Sequence, residues 1–267
     1  MAEIRAKQDS PHAAPLYQGS GRLPALLLFV LALVLMPIRL AYPWSAGTPD
    51  SLKCKPLSFY RLRADARHLQ QFNRLASADP LMVRLIYFIP NDRSFKPEVA
   101  QELDTLIKDV QRFYADQMAA NGFGQKTFFF ETDATGQAIV HPVSGQFPDS
   151  HYRGVHTSSN VGAEIETQFF LTEAIYLIAV DVGDGLINGV GGTGGPRGPN
   201  GGVAFVPASV PNFDFGTIAH ELGHAFGLQH DFRSDSYIMS YGVDSNLLSA
   251  CNAEFLSASR FFNPNST

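Results

Sequence analysis

Positive charge is scarce in this chain: 20 Lys and Arg stand against 25 Asp and Glu in 267 residues, for a net charge of −5. Charged residues make up only 17% of the sequence. That balance leaves no basic footprint for a nucleic-acid partner. Cysteine is almost missing. The two that exist, Cys54 and Cys251, allow at most one disulfide. No internal repeat is visible, which excludes a repeat architecture. Long apolar runs are also missing, with one exception. Hydrophobic residues still reach 45%, enough for a sizeable core, and nothing in the composition suggests disorder.

The exception is Leu23–Ile38, LPALLLFVLALVLMPI, uncharged and bounded by Arg22 and Arg39. As a helix it would be about 24 Å long, short of the ~30 Å hydrocarbon core. It is slightly longer than a usual secretory apolar region. Ser45-Ala46-Gly47 offers small residues for cleavage. A cleaved signal and a retained single-pass anchor both fit, and both place the rest of the chain outside the cytoplasm. A buried core helix fits poorly, because the stretch is apolar all round. The expected organisation is a polar N-terminal segment 1–22, a signal peptide or membrane anchor 23–47, a linker or short pro-segment 48–80, and one domain over 81–267. In an exported protein Cys54 and Cys251 are compatible with a disulfide. Two unrelated thiols and a latency role for Cys54 at a metal are the other readings.

Along the domain, Leu81–Ile89 reads as a buried strand ending at Pro90-Asn91-Asp92. Pro97 opens a long helix with Val99, Leu103, Leu106, Ile107, Val110, Phe113, Tyr114 and Met118 at helical spacing, and Gly122 ends it. Lys126–Glu131 and Gln137–Val143 read as strands joined by an Asp133–Gly136 turn. Ala163–Phe170 reads as a short helix, and Ala174–Val182 as the strongest buried strand. Gly189–Gly202, GVGGTGGPRGPNGG, is expected to be a surface loop because of its Gly and Pro content. Gly202–Val206 then reads as a short strand. This order predicts an α/β (α+β) fold: a twisted mixed sheet with a long backing helix and a central, metal-binding helix.

That last helix carries the chemistry. His220–His230 reads HELGHAFGLQH, the pattern H-E-x-x-H-x-x-G-x-x-H. Residues four apart share a helix face, so His220 and His224 can hold one ion, with Glu221 beside it. Asp214 is the expected N-cap, and Ile218, Leu222 and Ala225 form the buried stripe. Gly227 would end the helix in a left-handed turn and bring His230 back to the same ion. Three neutral imidazoles leave a fourth zinc position open, the mark of a catalytic site. A zinc-activated water, with Glu221 as general base, would then hydrolyse a peptide bond.

The run His220–His230, followed by Met239 in SYIMSYG, resembles the metzincin clan of zinc endopeptidases. The resemblance implies one catalytic Zn2+ on His220, His224 and His230, a structural methionine turn at Met239, and a polypeptide substrate. It also implies a role for Tyr241 as a weak extra ligand that hydrogen-bonds the reaction intermediate; simple packing beside the helix is the other reading. In this clan an edge strand binds extended substrate, and Gly202–Val206 is the expected one. Subfamily features are mixed: Asp231 follows the third histidine as in adamalysin-like members, the Met-Ser-Tyr turn is closer to serralysin-like and astacin-like ones, and glycine-rich calcium repeats are absent. Calcium at Asp181 and Asp184, a second metal at His141, His151 and His156, and side-chain pockets at Phe205 and Phe226 are lesser expectations. Rival readings are a peptidase with Glu254 as third ligand and a catalytically silent binding domain. Oligomeric state is not legible, and membrane association depends on Leu23–Ile38.

Overall fold

The computed structural model describes residues 81–242 and 245–263. The signal or anchor segment, the 48–80 linker and Cys54 lie outside the described residues, and with Cys54 the question of its pairing with Cys251. No described helix is long and apolar enough to cross a membrane.

Strand β1, Met82–Ile89, shows why this part of the sequence is apolar on both sides. Val83, Leu85, Tyr87 and Ile89 point into one core, whereas Ile86 and Phe88 point into another. Side chains alternate across a strand, so a sheet covered on both faces demands a nearly continuous apolar run. Strand β4, Ile175–Val180, repeats the arrangement: Ile175, Leu177 and Ala179 on the first face, Tyr176, Ile178 and Val180 on the second.

The remaining elements are α1 (Pro97–Ala120), β2 (Phe129–Phe130), β3 (Val140–Ser144), the single turn α2 (Asp149–Tyr152), α3 (Thr157–Ile165), β5 (Thr193–Pro196), β6 (Gly202–Pro207), α4 (Phe215–Ala225) and α5 (Ala250–Ala258). Strand order is β2-β1-β4-β6-β5, with β3 also paired to β1. All pairings are parallel except β5 on β6. This is the mixed sheet expected from the sequence. Helices α1, α4 and α5 contribute to the core on the first face; Val161 and Ile165 of α3 pack against the second.

Helix α1 forms as its spacing requires. Pro97 stands in its first turn, and Val99, Leu103, Ile107, Val110, Tyr114 and Met118 form the buried stripe. It ends at Asn121, where Gly122 takes a positive φ of 86°. The Tyr114 hydroxyl donates to the Ala219 carbonyl over 2.8 Å, tying this helix to α4.

Three local expectations need correction. The Asp133–Gly136 turn forms, with the Asp133 carboxylate accepting from Thr135 and Gln137. The strands it joins differ in their bounds, Phe129–Phe130 and Val140–Ser144, and lie end to end on β1, β2 on Met82–Val83 and β3 on Leu85–Ile89. The short helix expected at Ala163–Phe170 starts earlier, at Thr157, since Val161 and Ile165 are the positions that bury. Finally, the glycine-rich segment is not all loop. Thr193–Pro196 adds to β6 in antiparallel register, Thr193 opposite Phe205 and Pro196 opposite Gly202. Gly202–Val206 is therefore an interior strand, and β5 is the edge.

The glycines of β5 have a packing reason. A Cβ on Gly194 would run into the Glu221 carbonyl oxygen and stand 3.1 Å from His224 Cβ. Helix α4 thus lies against β5 at a distance that only glycine permits.

Candidate metal centre

Helix α4 starts where the Asp214 carboxylate accepts the Thr217 N–H at 2.9 Å, the N-cap expected from sequence. Ile218, Leu222 and Ala225 are buried in the core, which directs His220 and His224 toward the cleft. The helix stops at Gly227, φ 99°, with Leu228 N–H donating to the Gly223 carbonyl at 2.9 Å. A left-handed residue here costs glycine little. The chain then turns back, and Asp231 N–H donates to the Met239 carbonyl at 2.8 Å. Met239 is fully buried beneath the helix. Its sulfur occupies the space that a Cβ on Gly223 would take, so it packs and does not ligate.

The three histidines converge. His220 Nδ1 lies 2.7 Å from the Ile238 carbonyl and His224 Nδ1 lies 2.9 Å from the Leu228 carbonyl. A carbonyl can only accept, so each Nδ1 carries the proton and each Nε2 presents a lone pair. Yet His224 Nε2 stands 3.1 Å from both His220 Nε2 and His230 Nε2. Nitrogens converging at that distance fit a shared cation between them. A tetrahedral zinc with bonds of about 2.0–2.1 Å would separate its nitrogens by roughly 3.3 Å. Burial lowers the pKa of all three rings, that of His220 to about 4, with the neighbouring His224 and His230 adding to the effect. They are neutral at pH 7, as ligation requires.

Glu221 sits beside this cluster, 7% exposed. Its Oε2 is buried without a partner among the described residues, and burial pushes its pKa up to about 7. A buried carboxylate oxygen with no partner is costly. Gly192 makes room for it, since a Cβ there would lie 2.8 Å from Glu221 Cγ. Tyr241 is 74% exposed, its ring stacked on His220 at 5.9 Å and 4.8 Å from His230. The cleft has a volume of about 1150 Å³ and runs between β5 with its approach loop (Val190–Pro196), helix α4 and the segment after Met239. Its described lining contains no Lys or Arg.

The comparisons with known proteins follow from this geometry. The sequence pattern of the Reprolysin-like metallopeptidases of family M12B matches residues 158–259. The fold of the chain is similar to that of OgpA from Akkermansia muciniphila, solved as a catalytically inactive form in complex with an O-glycopeptide (glycodrosocin) substrate. The TM-score is 0.54 and the identity 18%, over 70% of this chain and 63% of that one. Wild-type OgpA gives 0.52 and 17%, over 68% and 61%. The chain thus spans less than two thirds of the length of OgpA. Archaemetzincin from Methanopyrus kandleri gives 0.32 and 16%, over 67% and 88%. No curated protein matches the sequence.

The other sequence candidates fall elsewhere. His141 pairs with Glu131 at 2.8 Å, His151 packs on Phe147 at 4.3 Å, and His156 precedes α3. Among the described residues His220, His224 and His230 form the one metal-capable cluster. Asp181 is not a calcium ligand in waiting. Its buried carboxylate accepts from Arg93 at 2.6 Å, Lys96 at 3.0 Å and the Tyr87 hydroxyl at 3.1 Å, while Asp184 accepts Leu186 N–H. Phe205 and Phe226 belong to the two cores. Glu254 is exposed on α5 and does not line the cleft. What the sequence reading missed is β5 itself and the two carbonyls that set the histidine tautomers. Backbone partners leave no residue-type signal.

Proposed function

We propose that this domain is a zinc-dependent endopeptidase that hydrolyses polypeptides held in extended form. The observation that carries the proposal is Glu221: a buried carboxylate oxygen without a partner, beside three imidazole nitrogens that converge on one point. Zinc held by His220, His224 and His230 supplies a Lewis acid for the scissile carbonyl and a water with its pKa lowered to about 7. Glu221 takes the proton of the attacking water and delivers it to the leaving amine. Its raised pKa suits a group that must both accept and release a proton near neutrality. The Tyr241 phenol is exposed and unhindered, and hydrogen-bonds the carbonyl oxygen as negative charge builds there. The free edge of β5 pairs with the substrate backbone as an added strand, so binding draws on main-chain groups.

A glycosylated peptide is a second reading. Asn212, Thr217, Gln229, Ser245 and Asn246 line the cleft without a cationic neighbour, which suits a neutral ligand rich in hydroxyl and amide groups. Work outside the cytoplasm is part of the proposal and rests on Leu23–Ile38 alone.

The test is zinc content together with cleavage of a fluorogenic peptide library, with glycosylated and unmodified members, by wild type and Glu221→Gln. The expected result is one zinc per chain in both proteins, chelator-sensitive cleavage by wild type, and a loss of about 10²–10⁴-fold in kcat for the variant. Zinc binding with no cleavage of any member would refute the peptidase reading, and equal rates for Glu221→Gln would refute the base.

A further inference from the structure

The three ligands are not held alike. His220 and His224 each donate Nδ1–H to a backbone carbonyl, those of Ile238 and Leu228. Metal-bound histidines almost always have such a partner, which fixes ring orientation and raises ligand affinity. For His230 no described group accepts from Nδ1; its one polar neighbour is the His224 Nε2 that faces the same point. His230 is also the most exposed of the three. It follows a left-handed turn on a segment outside regular structure, so neither helix nor hydrogen bond sets its ring.

Aromatic contacts do. Phe232 stacks on the His230 ring, centroids 5.2 Å apart and planes 25° from parallel. Tyr241 closes against both, 4.8 Å from His230 and 5.3 Å from Phe232. The His224 ring meets His230 edge-on at 4.5 Å. Phe232 is 62% exposed and does not line the cleft. The fold therefore has little use for it, and its large exposed ring needs another explanation. It lies two residues after the ligand, between Asp231 and Arg233, which pair with each other while Arg233 donates to the Ser249 hydroxyl at 3.4 Å.

We infer that Phe232 is a positioning residue for the third ligand: its stack on His230 does what the backbone carbonyls do for His220 and His224. This rests on the zinc reading of the cluster. The ring confines His230 to the rotamer that aims Nε2 at the metal, so the ordering is done before the ion arrives.

The experiment is zinc affinity by competition with a chromogenic chelator, plus the visible spectrum of the Co2+ form, for wild type, Phe232→Ala, Phe232→Trp and Phe232→Leu. Phe232→Ala is expected to bind zinc about threefold to tenfold more weakly and to shift the Co2+ bands. Its metal-free thermal midpoint should stay unchanged. Phe232→Trp should restore affinity, and Phe232→Leu should not. Wild-type affinity in Phe232→Ala, full rescue by leucine, or an equal fall in metal-free stability would each overturn the inference. Failure of the wild type itself to take up zinc would sink the metal reading as well, a different outcome from the first three.

Discussion

Gly194→Ala tests whether the approach of α4 to β5 is as tight as it looks. The new Cβ would meet the Glu221 carbonyl oxygen at a distance real Cβ atoms do not adopt, and His224 Cβ at 3.1 Å. Neither neighbour is the loose end of a side chain. One is helix backbone, and the other is the base of a ligand. The helix or the strand must therefore move by several tenths of an ångström. Overpacking of this kind costs roughly 1–3 kcal/mol, and a domain of this size loses about 2–4 °C in Tm per kcal/mol. A fall of about 4–8 °C follows for a cost near 2 kcal/mol. Because the shifted element carries His220, Glu221 and His224, zinc affinity should fall too. The neighbouring Gly195 is the internal control. A Cβ there meets nothing within 4 Å, so Gly195→Ala should be neutral or stabilise by up to about 1 kcal/mol through the unfolded chain. Thermal unfolding and zinc titration of the two variants decide the matter. Equal Tm values for Gly194→Ala and Gly195→Ala would refute the packing argument.

Tyr114→Phe removes the hydroxyl that bonds to Ala219 and should cost about 1 kcal/mol, read as a Tm lower by about 2–4 °C; an unchanged Tm would mean the tie between α1 and α4 is idle. The Asp133 carboxyl is held below its ordinary pKa, first by the Thr135 hydroxyl and then by the Gln137 and Thr135 backbone N–H groups. Its contribution to stability is thus present above the unfolded carboxylate pKa and is lost as pH falls through the lower folded value. Thr135→Ala should raise that pKa in an NMR titration, and no movement would refute the assignment. Zinc at about 1,000 times its Kd should stabilise the fold by about 4 kcal/mol, seen as a rise in Tm of about 8–16 °C that a chelator reverses. Glu221→Gln should keep that rise, and its loss would make Glu221 a ligand after all.

The metal cluster was legible because three side-chain identities and their spacing carry it, and helical geometry does the rest. The same holds for Asp214 as N-cap, for Gly227 as the helix stop and for the buried stripe of α1. The edge strand was not legible. Thr193-Gly194-Gly195-Pro196 has no strand propensity; it pairs because β6 offers an open side and α4 needs a neighbour without side chains. The two strands around Asp133–Gly136 were legible because their turn chemistry is sound, but their shared partner β1 was not, since pairing leaves no local signal. The start of α3 at Thr157 was hidden because Thr-Ser-Ser-Asn reads as loop, while Val161 and Ile165 were free to bury only once the sheet existed.

Among the described residues, strand β5 has one side paired and the other free, and a free strand side does not discriminate by origin. Any extended segment can dock there, including β5 of a second copy of this chain. Four residues leave a short docking rail, and the rail ends at Pro196, which has no N–H to offer. The same brevity keeps a self-templated ladder from growing. On the proposed reading, an edge too short to nucleate a fibre would still be long enough to align one bond with the histidines.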